Sequence, residues 1–371
     1  MKHDNNFDLL RLLAAAQVVF CHSMVWLGLE PQLNRHVHNL IFGFPGVAVF
    51  FAISGFLISR SWLSPEMTPG IYLDHRVRRI YPALWVNILT ILVLLFFLDE
   101  LLLDNPTRFI MWTVTALVTG CDCVGTIGIG SVVTAAGFYN YFPSGVLWTI
   151  PVELTFYILI PVIFQKSLFR SQLTLNILAV FVISLLFQFT WPLSGDLYSI
   201  MQCLWIFLTG AAINLHWDQL KRMFIGKAMY WLTAYVAMNF AAQTYGLDYS
   251  VASSANTIQT FFLSFTVVSA AYSFRPLFGI LRGHDISYGL YLWHMPVIWT
   301  MRGLDITGRW RWLILAYLIS ITIAALSWVL IERPILKGKR HAGHKATSGT
   351  ESFRYTDLSL SHAPRMKEPI Q

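Results

Sequence analysis

Five side chains that can carry charge lie inside apolar runs of this 371-residue sequence: Asp8, Arg11, His22, Glu153 and His294. Charge is costly at hydrocarbon depth, so each of the five points to a functional task. His22 and Glu153 have general-base chemistry in view. A carboxylate beside an imidazole selects its tautomer and stabilises the imidazolium it becomes. A second group stands just ahead of an apolar run, in Asp74-His75-Arg76-Val77-Arg78-Arg79-Ile80-Tyr81-Pro82. The guanidinium forks of its three arginines match phosphate oxygens. Arginines in that place equally serve to hold a loop on one side of a membrane. A third group, Ser287, Tyr291 and His294, falls at i, i+4, i+7 and forms one polar stripe on a helix. Substrate contact and polar packing between helices both account for it.

Spacing along the first run sharpens the picture. Arg11 and His22 are eleven residues apart, nearly three whole turns, so they share a face with the histidine ~16 Å further along. Asp8 precedes Arg11 by three residues and can pair with it on that face. Counted from the far ends of their apolar runs, His22 and Glu153 each lie ~9 Å deep, which predicts that the imidazole and the carboxylate meet.

The elements that must position these groups are membrane helices. The chain is 56% hydrophobic and only 12% charged, about half the charge of a soluble globular domain. That shortage excludes a soluble enzyme, a disordered protein and a disulfide scaffold. Ten apolar stretches, at 8–28, 40–61, 82–102, 147–165, 172–190, 197–215, 228–243, 257–274, 286–303 and 312–331, are long enough or nearly so to cross ~30 Å of hydrocarbon. The stretch Phe109 to Val118 is too short and reads as interfacial or re-entrant. With the N-terminus inside, 21 of the 26 Lys and Arg residues fall on one side and 5 on the other. The positive-inside rule then predicts an all-α bundle of ten transmembrane helices over residues 1–335, both termini cytoplasmic. Residues 336–371 are polar and aperiodic and read as a flexible cytoplasmic tail.

The net charge of +7 does not point to nucleic acid, because eight basic residues lie after Leu330 and most others flank apolar runs. The N-terminus lacks a clear cleavage site and reads as a retained first span. Cys21, Cys121, Cys123 and Cys203 form no metal pattern and read as free thiols. No metal or permanently bound cofactor is expected.

At these residues the sequence resembles the membrane acyltransferase-3 family, which acylates carbohydrates in bacterial envelopes. The likeness runs from about residue 5 to 337. It rests on Phe7-Asp8-Leu9-Leu10-Arg11 with Arg-x10-His spacing to His22, on Phe50 through Ile58, and on Arg76-Val77-Arg78-Arg79-Ile80-Tyr81-Pro82. It continues through Ser287-Tyr288 to His294 and Glu332-Arg333-Pro334. Where the family has Trp-Ser-Leu before its glutamate, this chain has Trp148-Thr149-Ile150, which keeps a hydroxyl. The resemblance implies transfer of an acyl group, acetyl foremost, from acyl-CoA as co-substrate to a carbohydrate hydroxyl, in the bacterial inner membrane. It implies that Arg76 and Arg79 hold the coenzyme A phosphates, with Arg11 positioning the donor and His22, oriented by Glu153, acting as base. The partners it implies are acyl-CoA, a carbohydrate acceptor that is free or lipid-linked, and membrane lipids. A transporter or flippase of a lipid-linked sugar is the alternative, because it shares polytopic architecture and intramembrane charge. Such a protein is expected to show related halves with matching broken helices, and none stand out.

Overall fold

Apolar runs without internal hydrogen-bond partners for their backbone must form helices in a non-aqueous solvent, and helices are what the computed structural model contains. It describes residues 5–98, 106–120, 144–165, 169–190, 196–244, 257–274 and 285–336, and no strand occurs among them. In chain order the helices are α1 (Phe7–Trp26), α2 (Arg35–Phe42), α3 (Gly46–Trp62), α4 (Pro69–Leu98), α5 (Pro106–Thr119), α6 (Thr149–Ile163) and α7 (Arg170–Thr190). They continue as α8 (Asp196–Leu215), α9 (Trp217–Phe224), α10 (Ala228–Thr244), α11 (Thr257–Ser273), α12 (Ser287–Gly303) and α13 (Trp310–Ser327). A π-helical turn, Trp328–Glu332, extends α13.

Each of the ten apolar stretches contains a helix, but they differ in length and polarity. Four are long and apolar enough to cross a membrane: Phe7–Trp26, Pro69–Leu94, Arg170–Phe187 and Trp310–Leu336. A fifth joins them if Ile200–Leu215 and Trp217–Phe224, bent by 103° at their junction, count together. Gly46–Trp62 and Thr149–Ile163 are apolar but shorter, at 17 and 15 residues. Elsewhere polar residues sit inside the fold; on α11, Gln259, Thr260 and Ser264 are all buried. The outward surface is apolar, with Leu175, Leu178, Ile183 and Leu186 of α7 all exposed. This inversion, polar within and apolar without, marks a membrane protein.

Close backbone approach builds the core. Where α3 crosses α8, a Cβ on Gly55 would lie 1.8 Å from the Phe207 carbonyl oxygen, and one on Gly210 would lie 2.1 Å from that of Ala52. The two glycines let the helices touch backbone to backbone, the usual small-residue device of membrane bundles. Proline inside a helix leaves a carbonyl unpaired four residues earlier. At Pro296 of α12 the freed carbonyl is that of Leu292, and Asn87 of α4 donates its Nδ2 to it at 3.3 Å. That bond ties α4 to α12.

The short apolar piece is α5. Its terminal carbonyls accept hydrogen bonds from two α4 side chains, Tyr81 Oη to Val118 at 2.9 Å and Trp85 Nε1 to Leu117 at 3.0 Å. Cys21 and Cys203 are free thiols; Cys121 and Cys123 lie outside the described residues, as does the tail beyond 336.

α1 and α12 run in the same direction and pack along their length. The start of α1 is tied to the end of α11 by Asn6 N–H to the Ala271 carbonyl at 2.9 Å. The turn before α13 meets the end of α1 through Gly308 N–H and the Leu27 carbonyl at 2.8 Å. α13 therefore returns toward the start of α1, and Leu336 borders the same cavity as Arg11. Both described chain ends lie at one end of the bundle, here called the arginine end.

Candidate functional site

Three basic side chains converge at the arginine end. Arg76 and Arg79 are three residues apart on α4, so they emerge from adjacent positions on one face. Arg11 reaches them from α1. The acid that gathers them is Asp285, immediately ahead of α12: its Oδ2 lies 2.5 Å from Arg79 and 3.7 Å from Arg11. Its Oδ1 accepts from the Ser287 hydroxyl at 2.5 Å and the Ser287 N–H at 3.2 Å. Burial raises the pKa of this carboxyl, but Arg79 and Arg11, with both Ser287 donors, outweigh it and hold Asp285 below the usual carboxylate range. Arg79 takes a second acid, Glu332, at 3.6 Å. The π turn aims that glutamate inward, where Ser327 donates to it at 3.3 Å. π turns of this kind recur at functional sites.

Arg79 is thus committed to two carboxylates, and Arg76 is not. Its guanidinium lies 5.4 Å from the ring centres of both Tyr72 and Tyr157. It also reaches the Ser61 hydroxyl at 3.3 Å. Its Nε, although buried, has no hydrogen-bond partner among the described residues. Stacked between aromatic rings yet short of an acceptor, Arg76 is a cation held open for an anion. Both arginines line the site, but Arg79 already bears its counter-charges.

The space they border is a cavity of about 280 Å³ between α1, α3, α4, α6 and α12. Arg11, Arg76, Arg79 and His75 supply its basic wall, and Phe50, Phe51, Ile58 and Ile150 its apolar one. Glu153 faces it, with the Tyr157 hydroxyl donating to its Oε1 one turn further along α6. Ser287, Tyr288 and Tyr291 of α12 complete it, and Thr149 shares a 2.9 Å hydrogen bond with the Tyr291 hydroxyl.

His22 lies beyond this cavity, ~16 Å along α1 from Arg11. Its Nδ1 is 2.8 Å from Nε2 of His294, and the two rings are within 13° of parallel. His294 is fully buried, and its Nδ1 contacts the Leu290 carbonyl at 3.2 Å. The expected pairing of His22 with Glu153 is not formed. The Thr149–Tyr291 bond sets the level of α6 against α12, and Glu153 then lies ~6 Å toward the arginine end while His294 lies ~4.5 Å the other way. Counting depth from Leu147 missed this offset, because the start of α6 is level with Tyr291 and so already lies ~4.5 Å nearer the arginine end than His294.

Ser287, Tyr291 and His294 are all buried along one stripe of α12. Trp148 immediately precedes α6 and packs on the core. Asp8 is half-buried, one turn before Arg11. Asp285, Glu332, Tyr157 and His75 were not singled out as site residues from sequence. Glu332 stands in the Glu-Arg-Pro signature, and Tyr157 is one turn from Glu153, so those two had a signal. Among the described residues no group of three His, Cys, Asp or Glu side chains has the geometry for a metal ion.

Residues 4–331 match the family model described as Acyltransferase domain. Nodulation protein 10 of Rhizobium leguminosarum bv. viciae is 34% identical over 347 residues, covering 90% of this chain and 94% of that one. The O-acetyl transferase of Shigella phage Sf6 is 27% identical, covering 91% and 97%. The peptidoglycan O-acetyltransferase OatA of Listeria monocytogenes is 27% identical, covering 80% of this chain and 51% of its own. No solved structure matches.

Proposed function

Because the chain belongs to this acyltransferase family, we propose that it is an inner-membrane O-acetyltransferase. In this reading it moves an acetyl group from acetyl-CoA to a hydroxyl of an envelope or exported carbohydrate. Relatives named as O-acetyltransferases, one of them of peptidoglycan, support the reaction class. Ten crossings with both termini cytoplasmic put the arginine end at the cytoplasmic face, where acyl-CoA is found. The Lys and Arg asymmetry supports that orientation.

The observation that carries the reading is the division of the site into two levels. At the arginine end, the open guanidinium of Arg76, with Arg11 and Arg79 behind it, receives the donor's phosphates. A cavity of about 280 Å³ is at the small end for a ligand site, so it takes the acyl-bearing arm rather than the whole donor. That arm extends past Tyr291 and Phe50 toward the histidine level, ~16 Å along α1. There the unshared nitrogen of His22 accepts the proton of the acceptor hydroxyl. The hydroxyl oxygen attacks the thioester carbonyl, the C–O bond forms, and the C–S bond breaks. The departing thiolate takes the proton back from His22. Glu153 stays with the donor in the cavity, its charge braced by Tyr157.

Mass analysis of envelope glycans from cells with and without the gene tests the proposal. Loss of acetyl groups from one glycan, with its export intact, is the expected result. Lost export with acetylation preserved would instead support a flippase.

A further inference from the structure

The two histidines carry more information than their proximity. Their ring centres are 5.1 Å apart while the bonded nitrogens are 2.8 Å apart, a difference of about one ring width. With planes only 13° apart, the rings lie edge to edge in nearly a common plane, with lone pair and N–H in line. Such a contact holds one proton. Which ring supplies it follows from the far side of His294. The Leu290 carbonyl can only accept, so His294 Nδ1 bears hydrogen and, in the neutral ring, its Nε2 offers a lone pair. His22 Nδ1 must then be the donor, and His22 Nε2 is left unprotonated. The backbone of α12 thereby dictates the state of a nitrogen two rings away.

We propose that His294 is a positioning residue, which through the chain Leu290 carbonyl, His294, His22 fixes His22 in the tautomer whose Nε2 is the free base. The proposal rests on His22 being the base of the transfer reaction. It gives His294 the orienting task expected of Glu153, with a neutral acceptor in place of a carboxylate. When His22 Nε2 takes the hydroxyl proton, its Nδ1–H still donates to His294 Nε2. The positive charge is therefore met by a fixed lone pair. Full burial of His294 keeps the lone pair from other donors. Polar packing alone does not require this arrangement, because an apolar side chain of similar volume would fill the same space.

The test has two readouts. The first needs no substrate: nitrogen NMR of 15N-histidine-labelled protein in nanodiscs, with His22→Ala used to assign the His22 signals. Protonated Nδ1 and unprotonated Nε2 are expected at His22, and His294→Ala should reverse or mix them. The second is coenzyme A release from acetyl-CoA, read with a thiol reagent in membranes that contain the cell's own glycan. His294→Ala should lower kcat by a factor of about 10² to 10⁴, the upper figure being the cost of a wrong histidine tautomer in a Ser-His-Asp triad. KM for acetyl-CoA should not change, and His294→Gln, whose Oε1 can accept from His22 Nδ1, should recover much of the rate. An unchanged His22 tautomer in His294→Ala, or a kcat within about twofold of the parent, overturns the proposal. Activity retained in His22→Ala instead removes the base assignment, and the tautomer measurement still decides the proton chain.

Discussion

Asp285→Ala should be among the most damaging single changes in this protein, although the residue was not visible as a site residue in the sequence. Its Oδ2 is 2.5 Å from Arg79 and 3.7 Å from Arg11, and the side chain is only 14% exposed. At an effective dielectric of about 20, each contact is worth roughly 4–7 kcal/mol before desolvation is subtracted. Removing one member of a buried ion pair costs about 3–5 kcal/mol in practice, because the stranded charge has nowhere to go. Here two guanidinium groups are stranded, with only Glu332 left to Arg79 at 3.6 Å. Thermal unfolding of the detergent-purified protein should show a midpoint lowered by at least about 5 °C. In a double-mutant cycle, Arg79→Ala should do little further harm once Asp285 is gone, with a coupling of about 2–3 kcal/mol. The pH dependence follows with its sign. The folded-state pKa of Asp285 is depressed by Arg79 and Arg11, so its contribution is complete above the unfolded value of about 3.9 and is lost as pH falls through the folded one. The stability gap between the parent and Asp285→Asn should therefore be flat from about pH 7 to 5 and close only below about 4. A midpoint unchanged in Asp285→Ala, or additive effects in the cycle, refutes this reasoning.

Other outcomes follow from the same geometry. Arg76→Ala should raise KM for acetyl-CoA at least about tenfold, as loss of a charge-assisted phosphate contact does, while thermal stability changes little. Arg79→Ala should instead lower stability first, and equal effects of the two on KM alone would contradict the division drawn between them. Gly55→Leu should abolish accumulation of folded protein, since even a Cβ there would lie 1.8 Å from the Phe207 carbonyl oxygen. Immunoblotting of membranes beside a Leu57→Ala control reads this directly.

Much of this was legible in the sequence because a membrane makes charge conspicuous. Arg11 and Glu153 from the apolar runs, and Arg76 and Arg79 on α4, line one cavity. Helices also appear at every apolar stretch, since helical periodicity and length are local properties. What was not legible depends on how helices slide past one another. Depth counted from each helix end set His22 level with Glu153, but the Thr149–Tyr291 bond fixes α6 in a register that carries Glu153 into the arginine cavity. His294 was visible as a buried polar residue. Its bond to His22 was not, because α1 and α12 are far apart in the chain and only packing brings them side by side. Asp285 escaped notice because it stands one residue outside an apolar run, where an acid looks like an ordinary surface residue.

The central claim is that His22 is the base of an acetyl transfer. The most direct measurement is glycan acetylation, by mass spectrometry, in cells carrying His22→Ala at a membrane protein level equal to the parent's. The account predicts that acetyl groups disappear from the glycan while the glycan itself is still made and exported. Acetylation at the parent's level in that variant would contradict it.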